Sequence, residues 1–149
     1  MEQPQSLFHH ILVPTDGSQA SIAAGKLAIK LASQHDSEIT FVYVVDNKVA
    51  EELSVSLRKT LSQTQADLIK SAQQYLDYLS RLAANASLSS DQIIRYGMPY
   101  IEIEKLAREM KVDLIIIGQI SHSGPRRMLI GSVAQRVIEN APCPVLIVK

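Results

Sequence analysis

The chain has 149 residues, 46% of them hydrophobic, which is the size of about one domain with one sizeable core, so a single domain over 1–149 is expected. Its 15 lysines and arginines balance 15 aspartates and glutamates, which removes the global basic field that draws a chain to nucleic acid. Residues 1–6 are polar, no apolar run approaches the ~20 residues that span a bilayer, and the single cysteine, Cys143, can form neither an internal disulfide nor a zinc framework. A reducing cytoplasm and no membrane partner are the expectation.

The apolar run Ile11-Leu12-Val13 stops at Pro14 and is followed by Asp16-Gly17-Ser18, which has the chemistry of a turn and a helix start. Ala20, Ala23, Ala24, Leu27, Ala28 and Leu31 then recur at helical spacing, a small-residue face suited to close packing on a sheet. Residues 39–45 are β-branched and aromatic and read as a strand buried on both faces. Over 51–84, Leu53, Leu57, Leu61, Leu68, Ala72, Leu76, Leu79 and Leu82 keep an apolar stripe and predict one long amphipathic helix. Ile93-Ile94 predicts a short strand, Gly97-Met98-Pro99 a turn, and Ile101, Ile103, Leu106, Ala107 and Met110 a further helix. Leu114-Ile115-Ile116-Ile117 is a buried strand. Val133, Val137 and Ile138 mark a short helix ended by 140–144, and Val145-Leu146-Ile147-Val148 is a last strand.

Strands that alternate with helices imply a parallel sheet covered on both faces, and right-handed crossovers make it doubly wound. Ligands of such sheets lie beyond the strand C-termini where the strand order reverses. Pro14-Thr15-Asp16 and the segment 118–132 are both placed at that edge and are expected to face each other. A buried strand that passes through Gly118 and a polar, basic loop to Gly131-Ser132 at a helix start has the makings of a phosphate site, so nucleotide binding leads.

Three segments, Ile11-Leu12-Val13-Pro14-Thr15-Asp16-Gly17-Ser18, Gly118-x2-Ser121-x9-Gly131-Ser132 and Ala141-Pro142-Cys143-Pro144-Val145-Leu146-Ile147-Val148, together resemble the universal stress protein family over residues 8–149. The resemblance implies an open five-stranded parallel sheet of order 3-2-1-4-5 with helices on both faces, a homodimer, and either an ATP- or AMP-binding branch or one that binds no nucleotide. The binding branch carries Gly-x2-Gly-x9-Gly followed by Ser or Thr. This chain keeps the spacing but has Ser121 at the second glycine, whose hydroxyl is able to donate to a phosphate oxygen.

Carried over residue by residue, the resemblance implies that Asp16 meets the nucleoside end, Pro14 and Thr15 line the base pocket, and Val44 offers backbone groups to the adenine edge. Gly118, Ser121, Gly131, Ser132 and Val133 would hold phosphate, with Ile117 and Ile120 in the same binding set. Plainer readings stand beside these: a helix cap for Asp16, a cap after a surface loop for 131–133, solvated side chains for His122, Arg126 and Arg127, surface histidines for His9 and His10, and a small buried hydrophobe for Cys143. No hydrolase elbow, phosphate-binding Gly-x4-Gly-Lys loop or kinase set occurs, so at most slow ATP hydrolysis is expected. Magnesium would be held through the phosphates, with Asp16 or Asp46 nearby. The apolar last strand is a pairing edge, and it is where the resemblance also places a homodimer. The expected function is an adenine-nucleotide-binding stress-response regulator with an unidentified regulatory protein partner; the alternative is a dimeric interaction module with an empty pocket.

Overall fold

The computed structural model describes residues 5–119 and 130–149. Along the chain these form β1 (His10–Pro14), α1 (Gln19–His35), β2 (Glu38–Val45), α2 (Asn47–Ser56), α3 (Leu61–Asn85), β3 (Ser90–Tyr96), α4 (Pro99–Glu109), β4 (Leu114–Gly118), α5 (Ser132–Asn140) and β5 (Val145–Val148). The five strands make one sheet of order β3-β2-β1-β4-β5, and all its pairings are parallel. This is the expected doubly wound architecture.

Strand alternation sorts the core into two layers. Ile11, Val13, Ile39, Phe41 and Ile116 point to one face, where α1 and α3 cover them with Ala24, Ala28, Ala32, Leu76, Leu79 and Ala83. Leu12, Val42, Ile115 and Ile117 point to the other, against Ile103, Leu106 and Ala107 of α4 and Ala134 and Val137 of α5. Each fully buried leucine or isoleucine contributes roughly 1.5–3 kcal/mol relative to its exposed state. The small residues of α1 allow the close approach expected of them. Gly25 is packed so tightly that a β-carbon there would come 2.6 Å from Leu79 Cδ2.

Three expectations need correction. The helix predicted over 51–84 is two helices, α2 and α3. Arg58 takes a left-handed φ of 53° just after the end of α2, and Thr60 then starts α3 with a capping box, its hydroxyl accepting from the Gln63 amide while Gln63 Oε1 accepts from the Thr60 amide. Leu57 and Leu61 therefore lie at a junction and are exposed. On α1 the buried stripe is Ser21, Ala24, Gly25, Ala28, Ile29 and Ala32, whereas Ala20, Ala23, Leu27 and Leu31 are half-buried. His10 is not on an exposed terminus: it lies in β1, its side chain 12% exposed, with Nε2 2.8 Å from Thr40 Oγ1.

The strand order reverses between β1 and β4, because the crossovers after β1 and β2 lead to one side and the crossover through α4 returns to the other. The C-terminal ends of those two strands are Pro14 and Gly118.

Candidate functional site

At the end of β1 the Thr15 amide donates to the Val42 carbonyl at 2.8 Å, which extends the ladder by one residue before the chain turns. Gly17 makes the turn with φ 81°, a conformation that favours glycine. Asp16 Oδ1 accepts from the Ser18 amide at 2.9 Å, and Ser18 caps α1, its hydroxyl accepting from the Ser21 amide at 3.2 Å. The cap is thus Ser18, and Asp16 shapes the turn ahead of it. The Thr15 and Ser21 hydroxyls lie 3.0 Å apart in a buried pair, so the Thr15 side chain ties the strand end to the first helical turn.

At the end of β4 the backbone of Gly118 presses on that same first turn. A β-carbon at Gly118 would stand 2.7 Å from the Ala20 carbonyl carbon and 2.8 Å from the Ser21 nitrogen. Two backbone bonds then fix where the next helix starts: Gln119 N donates to Val148 O at 2.7 Å, and Gly131 N donates to Gln119 O at 2.6 Å. Gly131 is the N-cap of α5, with no side-chain hydrogen bond to the cap and φ −66°, an angle open to any residue. The first-turn amides of α5, among them Ser132 and Val133, carry the positive end of the helix dipole, and their N-cap, Gly131, has no side chain to cap them.

These two strand ends and the α5 start enclose one cavity of about 60 Å³. Its wall includes Pro14, Thr15, Asp16, Ile117, Gly118, Gly131 and Val133 from the expected set, so Pro14-Thr15-Asp16 faces the described ends of the 118–132 segment. Ser18, Ser21, Gln119 and Ala134 also line it and were not anticipated. The pair Ser18-x-x-Ser21 across a helix start was the available signal for the first two. Val44 and Ser132 are not in this wall: Val44 packs with the α4 and α5 layer, and Ser132 is exposed. Ile120 and Ser121, like His122, Arg126 and Arg127, lie outside the described residues.

The arrangement offers an anion a helix start. On the sheet face turned towards α3, Tyr43 is pushed above the ordinary tyrosine range, first by burial, then by the charge of Asp16 and by Tyr75. The Asp46 side chain, considered for magnesium, instead caps α2, with Oδ1 accepting from Lys48 N at 3.0 Å. Cys143 is half-buried rather than buried, and its thiol is raised by burial and by Asp113, against a backbone hydrogen bond with Ile115. Among the described residues no group of three or more His, Cys, Asp or Glu side chains is placed to hold a metal ion, and no helix is long and apolar enough to cross a membrane.

The sequence profile described as the universal stress protein family matches residues 7–149. Universal stress protein MJ0531 of Methanocaldococcus jannaschii is 36% identical over 145 residues, 97% of this chain and 84% of that protein. The solved structure of hypothetical protein MJ0577 superposes with a TM-score of 0.83 at 26% identity and covers 96% of both chains. The universal stress protein from Archaeoglobus fulgidus in complex with dAMP superposes at 0.71 and 20% identity over 96% of this chain and 99% of that one, a likeness of fold.

Proposed function

Because the chain belongs to the universal stress protein family, we propose that it binds an adenine nucleotide, ATP or AMP, in the cavity between β1, β4 and α5. The observation that carries this reading is the α5 N-terminus, which begins at a glycine with no side chain to cap it and is held against the strand-order switch by the Gly131 to Gln119 hydrogen bond. The phosphates lie on the amides of Ser132 and Val133, and the ribose or base approaches Asp16 and Pro14. That the Archaeoglobus relative binds dAMP in the same fold supports the choice of an adenine ligand. Magnesium, where present, is carried by the phosphates.

The same proposal has the protein act by binding, as a cytoplasmic stress-response regulator, with no turnover beyond slow ATP hydrolysis. Two copies pair through antiparallel β5 strands: β5 is a sheet edge and Leu146 on it is exposed.

One observation favours a second reading, an interaction module that takes no nucleotide. Gly118 is required by its packing on α1 whether or not phosphate is ever present. Calorimetric titration of the nucleotide-stripped protein with ATP, AMP and GTP decides between them. Saturable heat with an adenine nucleotide and none with GTP is the expected result. No heat and no competition at millimolar ligand overturns the nucleotide reading in favour of the module.

A further inference from the structure

The turn that carries Asp16 is packed by a side chain of the longest helix. A β-carbon at Gly17 would overlap the Tyr75 ring, 2.7 Å from Cδ2 and closer still to Cε2 and Cζ. Glycine is therefore required at 17 twice over, by its φ of 81° and by the ring seated against it. Tyr75 comes from α3, between Ala72 and Leu76, which are anchored in the core. The ring also stacks on Tyr43 of β2, with centroids 6.5 Å apart and planes at 11°. Tyr43 is itself packed against the α1 and α3 core layer. The ring is thus fixed at both ends, by a helix and by the sheet.

The turn needs such a support. Its Gly17 amide reaches Thr15 Oγ1 only at 3.3 Å, and glycine has more conformational freedom than any other residue. Asp16, one residue earlier, lies in the cavity wall, and Tyr75 is not part of that wall. The raised Tyr43 phenol, which responds to both Asp16 and Tyr75, is consistent with the three groups lying close together.

We propose that Tyr75 is a positioning residue for the nucleotide site: its ring, backed by Tyr43, holds the Gly17 turn so that the Asp16 carboxylate stays at the cavity wall. The proposal rests on the nucleotide-binding reading above and assigns the nucleoside end of the site its support. The ring carbons make the contact, so the aromatic ring is needed and the hydroxyl is dispensable. The phosphate end, built on α5, does not depend on it.

Two measurements on full-length Tyr75→Ala, Tyr75→Phe and wild-type protein test this. The first is amide hydrogen exchange at Ser18, whose N–H is held by Asp16 Oδ1. Exchange is expected to speed up about tenfold in Tyr75→Ala and to stay within about twofold in Tyr75→Phe, with the β1 and β4 amides unchanged. The second is titration with adenosine, AMP and inorganic tripolyphosphate. Tyr75→Ala is expected to weaken adenosine and AMP about tenfold and tripolyphosphate less than about twofold, with Tyr75→Phe restoring both. Should Tyr75→Ala not fold, Tyr75→Leu keeps the apolar bulk without the flat ring and is held to the same criteria. Equal Ser18 protection in the alanine and phenylalanine variants overturns the proposal, as does an equal loss for adenosine and tripolyphosphate. Wild-type protein that binds no nucleotide overturns the reading of the site, and the exchange measurement then still decides whether Tyr75 holds the turn.

Discussion

Replacing Gly118 with alanine separates the two reasons a glycine can occupy the end of β4. The added carbon would stand 2.7 Å from Ala20 C, 2.8 Å from Ser21 N and 2.9 Å from Ala20 Cβ, where ordinary contact begins near 3.4 Å. Two of those atoms are backbone, so no rotamer change relieves them, and β4 and the first turn of α1 must separate by half an ångström or more. That movement is resisted from below. Ala24 and Ala28 of α1 are 0% exposed, and lifting the helix opens a gap over Val13 and Ile116. Overpacking of this kind costs about 1–3 kcal/mol.

With an unfolding entropy of roughly 2.1 cal/mol/K per residue, a chain of this length loses about 3–10 °C of Tm for that cost. The assay is thermal unfolding of the nucleotide-free variant, followed by urea unfolding to show a lower midpoint at unchanged slope. A nucleotide-free Tm within about 1 °C of wild type, accompanied by weakened nucleotide binding, would refute the packing argument and make Gly118 a residue kept for ligand alone.

Gly131→Asp is expected to leave the nucleotide-free Tm within about 2 °C, since aspartate differs from glycine as an N-cap by only a few tenths of a kcal/mol, yet to abolish nucleotide binding because its carboxylate occupies the anion position; a loss above ~5 °C would refute this. Tyr43 is expected to ionise above 10.0, its ordinary value, and Asp16→Asn to lower its midpoint without removing the effect of burial. A phenol whose pKa is higher folded than unfolded contributes stability that is intact below the unfolded value and is lost as pH rises from about 10 through the folded value. The tyrosinate absorbance difference between wild type and Tyr43→Phe, with urea midpoints across that range, checks both points. Leu146→Glu places like charges across the proposed β5 pairing and is expected to give a monomer by light scattering at micromolar protein where wild type is a dimer; a wild-type monomer would remove that interface.

How far the fold was legible depended on the strength of each local signal. β1 and β4 carry apolar runs and β2 a dense β-branched and aromatic one, which is what strands buried on both faces require, and they were placed to within a residue or so. The break between α2 and α3 was missed because leucines at 53, 57 and 61 keep helical spacing across it. Periodicity reports which faces match and is blind to a reversal of the chain between them. The signal against one helix was local: Thr60-x-x-Gln63 is a capping-box sequence, and it outranks a leucine stripe as a marker of a helix start. The burial of His10 was misjudged for a related reason. Nearness to the N-terminus says nothing of depth, and a first strand in the middle of the sheet buries its earliest residues.

The candidate site was legible where function and packing ask for the same residue, and obscure where one side chain serves only to support another. Gly118 stands out in the motif, and the structure gives it a packing role on α1 that is independent of any ligand. Gly17 has the same double character, required by its backbone angle and by Tyr75. Tyr75 itself could not have been picked out, because a tyrosine among the leucines and glutamines of a long amphipathic helix reads as ordinary core, and its partner at Gly17 is distant in the chain. Ser18 and Ser21 were not placed in the cavity wall because their hydroxyls serve the helix start, which is all that Ser18-x-x-Ser21 signals in the sequence. A glycine signature in such a sheet therefore marks where two elements must approach, and nucleotide binding follows only where that approach also leaves an uncapped helix start facing the cleft. Here α5 supplies that second condition, which is why its N-terminus, more than the glycines, carries the functional reading.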